Sequence, residues 1–180
     1  MFLLSKLDKL NPPPNVKNWI ISFLSDRTQM CKVNGVLSTW LRVNLSIVQG
    51  SGIGPTLYVI QESDLKTLSV INILMKYADD TNLLAPSCTD VSLEEEYLNV
   101  KRWAATNKMI INSIKTKEIV FRRPNLRSSS LLLPPPLAGI ERIKQAKLLG
   151  VIISENLKFK EHVDQVLRTC NQRLYLLKKL

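Results

Sequence analysis

The sequence feature that most constrains the fold is a pair of adjacent aspartates, Asp79 and Asp80, between two short apolar runs at 71–75 and 83–85. Apolar residues alternate from Ile71 to Tyr77 and predict a strand that turns back at the aspartates. Two neighbouring carboxylates repel each other unless a cation lies beside them, and Mg²⁺ takes carboxylate oxygens together with substrate phosphates. The pattern therefore predicts a metal-binding hairpin, with an ordinary solvated Asp-Asp turn as the alternative.

The composition indicates a globular protein that binds a polyanion. A chain of 180 residues with 45% hydrophobic content can bury a core, and its net charge of +10 makes nucleic acid the commonest kind of partner. The cysteines, Cys31, Cys88 and Cys170, lack the spacing of a zinc site or a disulfide framework. No apolar run approaches the roughly 18 to 20 residues that span a bilayer, and no secretory signal is evident. We expect no membrane association and an intracellular location, cytoplasmic or nuclear.

The periodicity of the sequence predicts a mixture of helices and strands. Helical spacing, caps and prolines predict helices over 1–10, 15–25, 56–68, 93–107 and from 161 onward. Strand-like runs cover 28–33, 37–45, 109–111, 118–121 and 147–153. The pair Asn34-Gly35, between the first two of these runs, is the preferred chemistry of a tight hairpin turn.

Two further segments favour contact with phosphates. Three glycines within five residues follow Gln49, and such a backbone can approach a phosphate or another backbone closely. Their spacing matches neither the P-loop nor the dinucleotide fingerprint, so a purely structural loop is the alternative. Five cations lie close together along 115–127, and a solvated basic strand edge is the alternative there.

Several short motifs follow one another in a fixed order, and each is weak alone. They are Gln49-Gly50-Ser51 with Gly54-Pro55, Asp64-Leu65, Tyr77-Ala78-Asp79-Asp80, Trp103 with Asn107, Asn112 with Lys115-Thr116, Leu148-Leu149-Gly150-Val151 and His162-Val163. Together, across residues 2–180, they resemble the reverse transcriptase of non-LTR (LINE-type) retrotransposons. The resemblance implies an α+β fold, a partial polymerase palm of antiparallel strands backed by helices, with a remnant of the fingers and the start of the thumb.

The resemblance also implies a division of the chain and a set of partners. Partial fingers and palm would cover 1–127, a linker rich in proline, serine and leucine 128–138, the end of the palm 139–160 and the first thumb helix 161–180. In that family, palm carboxylates hold two Mg²⁺ ions while the primer 3′ hydroxyl attacks the α-phosphate of the incoming nucleotide. The implied partners are an RNA template, a DNA primer and deoxynucleoside triphosphates.

Individual site residues follow from the same resemblance. Asp79 is implied as the principal metal ligand, with Asp80 as its companion. The other implied site residues are Gln49, Gly50, Ser51 and Tyr77 for template and nucleotide, Leu149 and Gly150 for the primer grip, and Lys115 for the departing pyrophosphate. For Lys115 a plain phosphate contact or a surface lysine is the alternative, and for the primer-grip pair a structural strand break.

One part of the family pattern is missing from this sequence. The family palm uses three carboxylates, and no segment resembling the first, an aspartate followed by Ala-Phe-Asp or similar, occurs here. We expect a truncated gene copy or a partial gene model that does not polymerise DNA alone, since neither Asp8 nor Asp26 lies on an apolar strand run. The competing hypotheses are a piece of a longer active polymerase, a basic remnant that binds RNA or RNA–DNA hybrid without catalysis, and an unstable product without a role.

Overall fold

The computed structural model describes residues 2–43, 48, 50–122 and 133–179, and the chain forms two compact units, Met1–Lys108 and Met109–Leu180. The helices are α1 (Phe2–Lys9), α2 (Pro14–Leu24), α3 (Gly54–Gln61), α4 (Leu93–Thr106) and α5 (Lys160–Leu177). The strands are β1 (Arg27–Gln29), β2 (Lys32–Val33), β3 (Val36–Leu37), β4 (Leu41–Val43), β5 (Ile73–Tyr77), β6 (Asp80–Leu84), β7 (Lys117–Glu118), β8 (Glu141–Arg142), β9 (Gln145–Leu148) and β10 (Val151–Ser154). The predicted mixture of helices and strands is confirmed.

The hydrophobic core of the first unit lies where α1, α2 and α3 meet. Leu7, Ile20 and Leu57, one from each helix, are buried together. Helix α2 begins at Pro14 rather than after Asn15, because a proline in the first turn needs no N–H donor and already has a helical φ. The remaining helix of this unit, α4, begins with the predicted capping box, in which Ser92 and Glu95 bond each other's backbone N–H groups.

Helix α3 is shorter than the predicted 56–68 and starts earlier. Pro55 lies in its first turn, so the helix begins at Gly54. Beyond Gln61 the chain leaves the helix, and the N–H groups of Leu68 and Ser69 donate to the carboxylate of Glu96. A side chain on α4 therefore satisfies backbone donors that the predicted helix would have used itself.

Two nested antiparallel ladders connect α2 to the glycine loop. Strands β1 and β4 pair from Arg27 with Val43 to Gln29 with Leu41, and β2 pairs with β3 inside them. Asn34 and Gly35 form the turn with φ of 50° and 83°, the two positive values that a type I′ hairpin requires. The predicted turn is confirmed, while residues 44–47, where the predicted strand ends, lie outside the described ranges.

The second unit contains two small ladders and α5. Strands β9 and β10 form an antiparallel hairpin and β7 pairs with β8 in parallel. The prediction of one strand over 147–153 is wrong, because the chain turns back at Leu149-Gly150, and residues 109–111 form no strand. Helix α5 contacts β10, where the Ile152 N–H donates to His162 Nδ1 at 3.4 Å. Of the predicted linker, 128–132 lies outside the described residues.

Candidate active site

The predicted turn of the chain at the aspartates is confirmed, and metal binding there stays a prediction. Strands β5 and β6 pair from Ile73 with Leu84 to Tyr77 with Asp80, so that Ala78 and Asp79 form a two-residue turn. Ala78 has a φ of 51°, a conformation that costs an L-residue about 1 kcal/mol and is retained because the ladder requires the tight turn. Asp79 and Asp80 are both exposed at this tip.

The two faces of this hairpin have different environments. Residues paired across an antiparallel ladder share a face, so Tyr77 and Asp80 lie on the same side as Ile73 and Met75. These four side chains are all exposed. The opposite face carries Lys76, whose ammonium group contacts the body of the first unit. Within the described part of the chain, the hairpin is hydrogen-bonded to the rest of the first unit through the face that carries Lys76.

Lys76 attaches the hairpin to the segment that follows α3. Its Nζ donates to the carbonyl oxygens of Glu62 at 2.5 Å and Leu65 at 3.2 Å. Removal of the ammonium group from water lowers the pKa of Lys76, although the nearby carboxylates of Glu62 and Asp64 act in the opposite direction. A charged hydrogen bond of this kind fixes the strand two residues before the hairpin turn against the end of a helix.

Tyr58 on α3 is hydrogen-bonded at the end of its own helix. Its hydroxyl donates to Glu62 Oε1 at 2.6 Å, and Glu62 itself is buried. Burial, the bond to Glu62 and the charge of Asp79 all raise the pKa of Tyr58. The carboxylate of Asp79 therefore lies within electrostatic range of α3, the helix into which the glycine loop leads.

The glycine loop has an exposed backbone and an internally bonded serine. Gln49 lies outside the described residues, and Gly50 has a φ of +83° with open space where a Cβ would stand. Ser51 Oγ donates to the Val48 carbonyl at 2.7 Å, and the Gly54 N–H donates to the Ser51 carbonyl at 3.2 Å. The Ser51 hydroxyl proton is thus used within the loop, while the backbone at Gly50 is open to an approaching ligand.

A buried carboxylate positions the chain just before β5. Glu96 is fully buried and accepts hydrogen bonds of 2.9 Å from Leu68 N, Ser69 N and Asn72 Nδ2. Burial alone would raise the pKa of Glu96, but these three donors hold it below its ordinary value. Three N–H groups thus replace a cation as the partners of this carboxylate.

Three residues of the motifs tie helices together. Trp103 Nε1 and the buried Lys6 both donate to Asp64 Oδ1, at 2.8 and 2.7 Å. Burial opposes ionisation of Asp64, yet these two bonds lower its pKa. Asn107 accepts at 3.1 Å from Gln61 at the end of α3. The sequence interpretation missed Lys6, although a lysine three residues after Leu3 on the apolar side of α1 is a signal for a buried ion pair.

The remaining predicted site residues belong to the second unit. Lys115 is exposed, and its backbone N–H donates to the Asn112 carbonyl at 3.2 Å in a tight turn. Leu149 and Gly150 form the turn between β9 and β10, with φ of 47° and 89°, and both are exposed. The turn implied by the resemblance is present, and the roles of all three residues stay predictions.

The donor set at the hairpin tip fits a hard cation that shares its ligands with a substrate. Among the described residues, no group of three or more His, Cys, Asp or Glu side chains is close enough to hold a metal ion. Asp79 and Asp80 provide adjacent carboxylates, the oxygen ligands that Mg²⁺ prefers, and Mg²⁺ commonly completes its shell with water and phosphate. The chemistry of these two side chains therefore fits Mg²⁺, while the described residues bring no third acid to them.

Comparison with known proteins identifies the class. The family described as "Reverse transcriptase (RNA-dependent DNA polymerase)" matches residues 1–153. The "Probable RNA-directed DNA polymerase from transposon BS" of Drosophila melanogaster is 30% identical over 99% of this chain and 21% of its own length. The RNA-directed DNA polymerase from mobile element jockey of the same species is 29% identical over 91% of this chain and 19% of its own length. No solved structure gives a significant match.

This chain belongs to the reverse transcriptase family. Its relatives come from transposons and mobile elements, which confirms the resemblance to non-LTR retrotransposon enzymes that the order of motifs predicted. The chain spans about a fifth of the length of the curated relatives that it matches. Within the described ranges, no helix is both long and apolar enough to cross a membrane.

Proposed function

We propose that this chain is the palm-containing part of an RNA-directed DNA polymerase and that Asp79 and Asp80 are its metal-binding carboxylates. The observation that carries the proposal is the hairpin tip. Adjacent carboxylates lie exposed at a strained two-residue turn, and Lys76 fixes the strand before them against the end of α3. A solvated Asp-Asp turn would not need the attachment through Lys76.

The roles of the residues follow from this assignment. Mg²⁺, when bound by Asp79 and Asp80, would neutralise phosphate charge and lower the pKa of the attacking 3′ hydroxyl. The open space at Gly50 would let a template or nucleotide phosphate approach the backbone closely. Tyr77 shares a face with Asp80, where an aromatic ring can pack against a sugar or base. The remaining template contacts are assigned to Gln49 and Ser51.

Residues of the second unit are assigned by resemblance and by exposure. The exposed ammonium group of Lys115 would stabilise charge on the departing pyrophosphate. The tight Leu149-Gly150 turn would hold the primer end, and α5 would begin the thumb. The partners proposed are an RNA template, a DNA primer and deoxynucleoside triphosphates.

We further propose that this polypeptide alone polymerises DNA at a negligible rate. The described residues bring no third carboxylate to Asp79 and Asp80, so metal would bind weakly and the α-phosphate would be poorly positioned. Because misplacement by about 1 Å can cost on the order of a hundredfold in rate, loss of a ligand that bridges two ions would cost more.

Primer extension tests the proposed inactivity. The purified chain is given a poly(A) template, an oligo(dT) primer and Mg²⁺, beside Asp79→Ala and the matched control Asp8→Ala, which removes an exposed acid of the same unit. We expect background incorporation by all three proteins. Robust incorporation that Asp79→Ala abolishes would contradict the proposed inactivity while supporting the metal site.

Metal binding is tested separately with Mn²⁺ as a probe. We expect paramagnetic broadening of backbone NMR signals around Asp79 and Asp80 at millimolar Mn²⁺, and loss of that broadening in the double variant Asp79→Asn, Asp80→Asn. Equal broadening in the double variant and in the wild type would remove the basis for the metal assignment.

A second candidate function is binding of RNA or RNA–DNA hybrid without chemistry, which the net charge of +10 favours. It predicts affinity that falls steeply with salt and is unchanged by Asp79→Ala. If the chain instead binds its substrates through the metal site, Mg²⁺ should strengthen the binding of a primed template and a matching nucleotide. Asp79→Ala should then abolish this increase in affinity.

A further inference from the structure

Helix α5 carries an exposed apolar seam in the second unit. The seam consists of Val163, Leu167, Cys170, Leu174 and Leu177, spaced by four, three, four and three residues. This is the heptad spacing with which one helix packs along another. All five side chains are exposed, Leu167 and Leu174 to 55% each. In the first three turns of α5, the partly buried residues are His162 and Thr169, which lie on a neighbouring stripe of the helix.

We propose that α5 pairs with α5 of a second copy of this chain in antiparallel orientation. A row of exposed apolar side chains four turns long marks a contact surface, because its exposure to water is unfavourable and adjoining helices bury such rows together. A second copy presents the same row, so the seam is complementary to itself.

The charges along α5 favour the antiparallel orientation. Apart from Lys160, the first two turns carry the acids Glu161 and Asp164, whereas the last two carry Arg173, Lys178 and Lys179 just beyond the helix. Antiparallel pairing places the acidic end of one helix beside the basic end of the other, and it also opposes the two helix dipoles favourably.

A parallel pair would have the opposite electrostatics. Arg173 and Lys178 lie on opposite sides of the seam and are five residues apart. At this spacing, Arg173 of one helix faces Lys178 of the other in a parallel pair. Two such contacts between like charges would arise, one on each side of the seam. The charge pattern therefore selects one orientation and disfavours the other.

The expected dimer is weak. A seam of five side chains is smaller than the interfaces that hold stable dimers, and short helix pairs are marginal in water. We expect a dissociation constant in the micromolar range and a monomer at nanomolar concentration.

Sedimentation velocity tests the association. The wild-type chain, treated with nuclease and held at moderate salt, should move from a mass of 20.5 kDa toward twice that value as its concentration rises through the micromolar range. Leu167→Asp should remain monomeric. The matched control Gln172→Asp introduces the same charge off the seam and should dimerise like the wild type, with circular dichroism confirming equal helicity in all three proteins.

Crosslinking tests the orientation. Val163→Cys and Leu177→Cys are made separately in a background carrying Cys31→Ser, Cys88→Ser and Cys170→Ala, and one variant bears a mass tag. A short bismaleimide should join the two variants when mixed but neither to itself, because these positions lie about 21 Å apart along one helix.

Three outcomes would overturn the proposal. They are a monomeric wild type at high micromolar concentration, a dimer that nuclease removes, and crosslinks formed within each variant alone, which would indicate parallel pairing. A wild type that stays monomeric but binds RNA more weakly after Leu167→Asp would assign the seam to nucleic acid instead.

Discussion

Single polar residues hold the chain that leads into the aspartate hairpin. Glu96 is a buried carboxylate whose partners are N–H groups rather than a cation, so its stability depends on all three donors at once. A buried acceptor that loses such partners bears the cost of leaving water without compensation. The backbone just before β5 is therefore held by one side chain from α4.

Glu96→Gln should destabilise the first unit by about 1 to 3 kcal/mol, because the amide turns a donor toward N–H groups that need an acceptor. The measurement is urea denaturation followed by tryptophan fluorescence, which reports this unit alone since Trp19, Trp40 and Trp103 all lie in it. Glu94→Gln, an exposed change on the same helix, is the control. Equal midpoints for the two variants would contradict the proposed role.

Acid should destabilise the first unit through Glu96 and Asp64, whose pKa values are both lowered in the fold. As the pH falls, these carboxylates take up protons in the unfolded chain before they do so in the folded one. Their contribution to the free energy of unfolding is therefore complete above the ordinary carboxyl pKa near 4. It is lost as pH falls through the lower folded values. Urea midpoints are measured from about pH 6 to 3. We expect the midpoint of the wild type to decrease once the pH drops below about 4, and the midpoint of Glu96→Gln to decrease less steeply. If the midpoints of both proteins decreased equally with falling pH, Glu96 would not be a cause of the acid destabilisation.

At the scale of elements, the β5–β6 hairpin depends on a contact from one face. Lys76 donates to two carbonyl groups at the end of α3, while the opposite face of the hairpin is exposed. The position of the aspartate tip is therefore sensitive to this single side chain.

Lys76→Met should loosen the hairpin, because the carbonyl oxygens of Glu62 and Leu65 lose a charged donor worth about 1 to 2 kcal/mol. Hydrogen exchange of the β5 and β6 amides should accelerate about tenfold, while the amides of α4 stay protected. Lys32→Met, in another exposed strand of the same unit, should leave the exchange of this hairpin unchanged.

The β9–β10 turn contains strain that can be removed. Leu149 has a φ of 47°, which a leucine adopts at a cost of about 1 kcal/mol and an asparagine tolerates well. Leu149→Asn should therefore raise the midpoint of thermal unfolding of the second unit. Circular dichroism measures this midpoint. If Leu149 belongs to the primer grip, the same variant should bind a primed template more weakly. A lowered midpoint would show that Leu149 contributes packing that outweighs its strain.

Local chemistry made some elements predictable from sequence and left others out of reach. Asn34-Gly35 and the aspartate hairpin form as expected, because turn residues between alternating apolar runs act locally. The non-helical path up to Leu68 could not be foreseen, since the N–H of Leu68 donates to Glu96, which lies 28 residues further along the chain. At the candidate site the tip was predictable, but Tyr58 and Lys76 were missed because their importance arises only from packing. The sequence did offer one signal for Lys76, which is a lysine inside an otherwise apolar strand.

At the scale of the whole molecule, the interior of the described residues is unusually polar. Among them six hydrophobic residues are buried, beside eight polar or charged ones that include Lys6, Glu96 and Glu118. In the second unit, Arg142 donates to both carboxylate oxygens of Glu118, at 3.0 and 2.9 Å. Each unit is thus stabilised by directional polar contacts around a small apolar centre.

A small apolar interior changes how the protein responds to temperature. Exposure of hydrocarbon on unfolding is the main source of the heat-capacity increment, and exposure of polar groups reduces it. The increment should therefore fall below the roughly 12 to 15 cal/mol/K per residue of ordinary domains, as calorimetry can measure. The stability curve would then be shallow, with little loss of folded protein on cooling and a broad, gradual transition on heating.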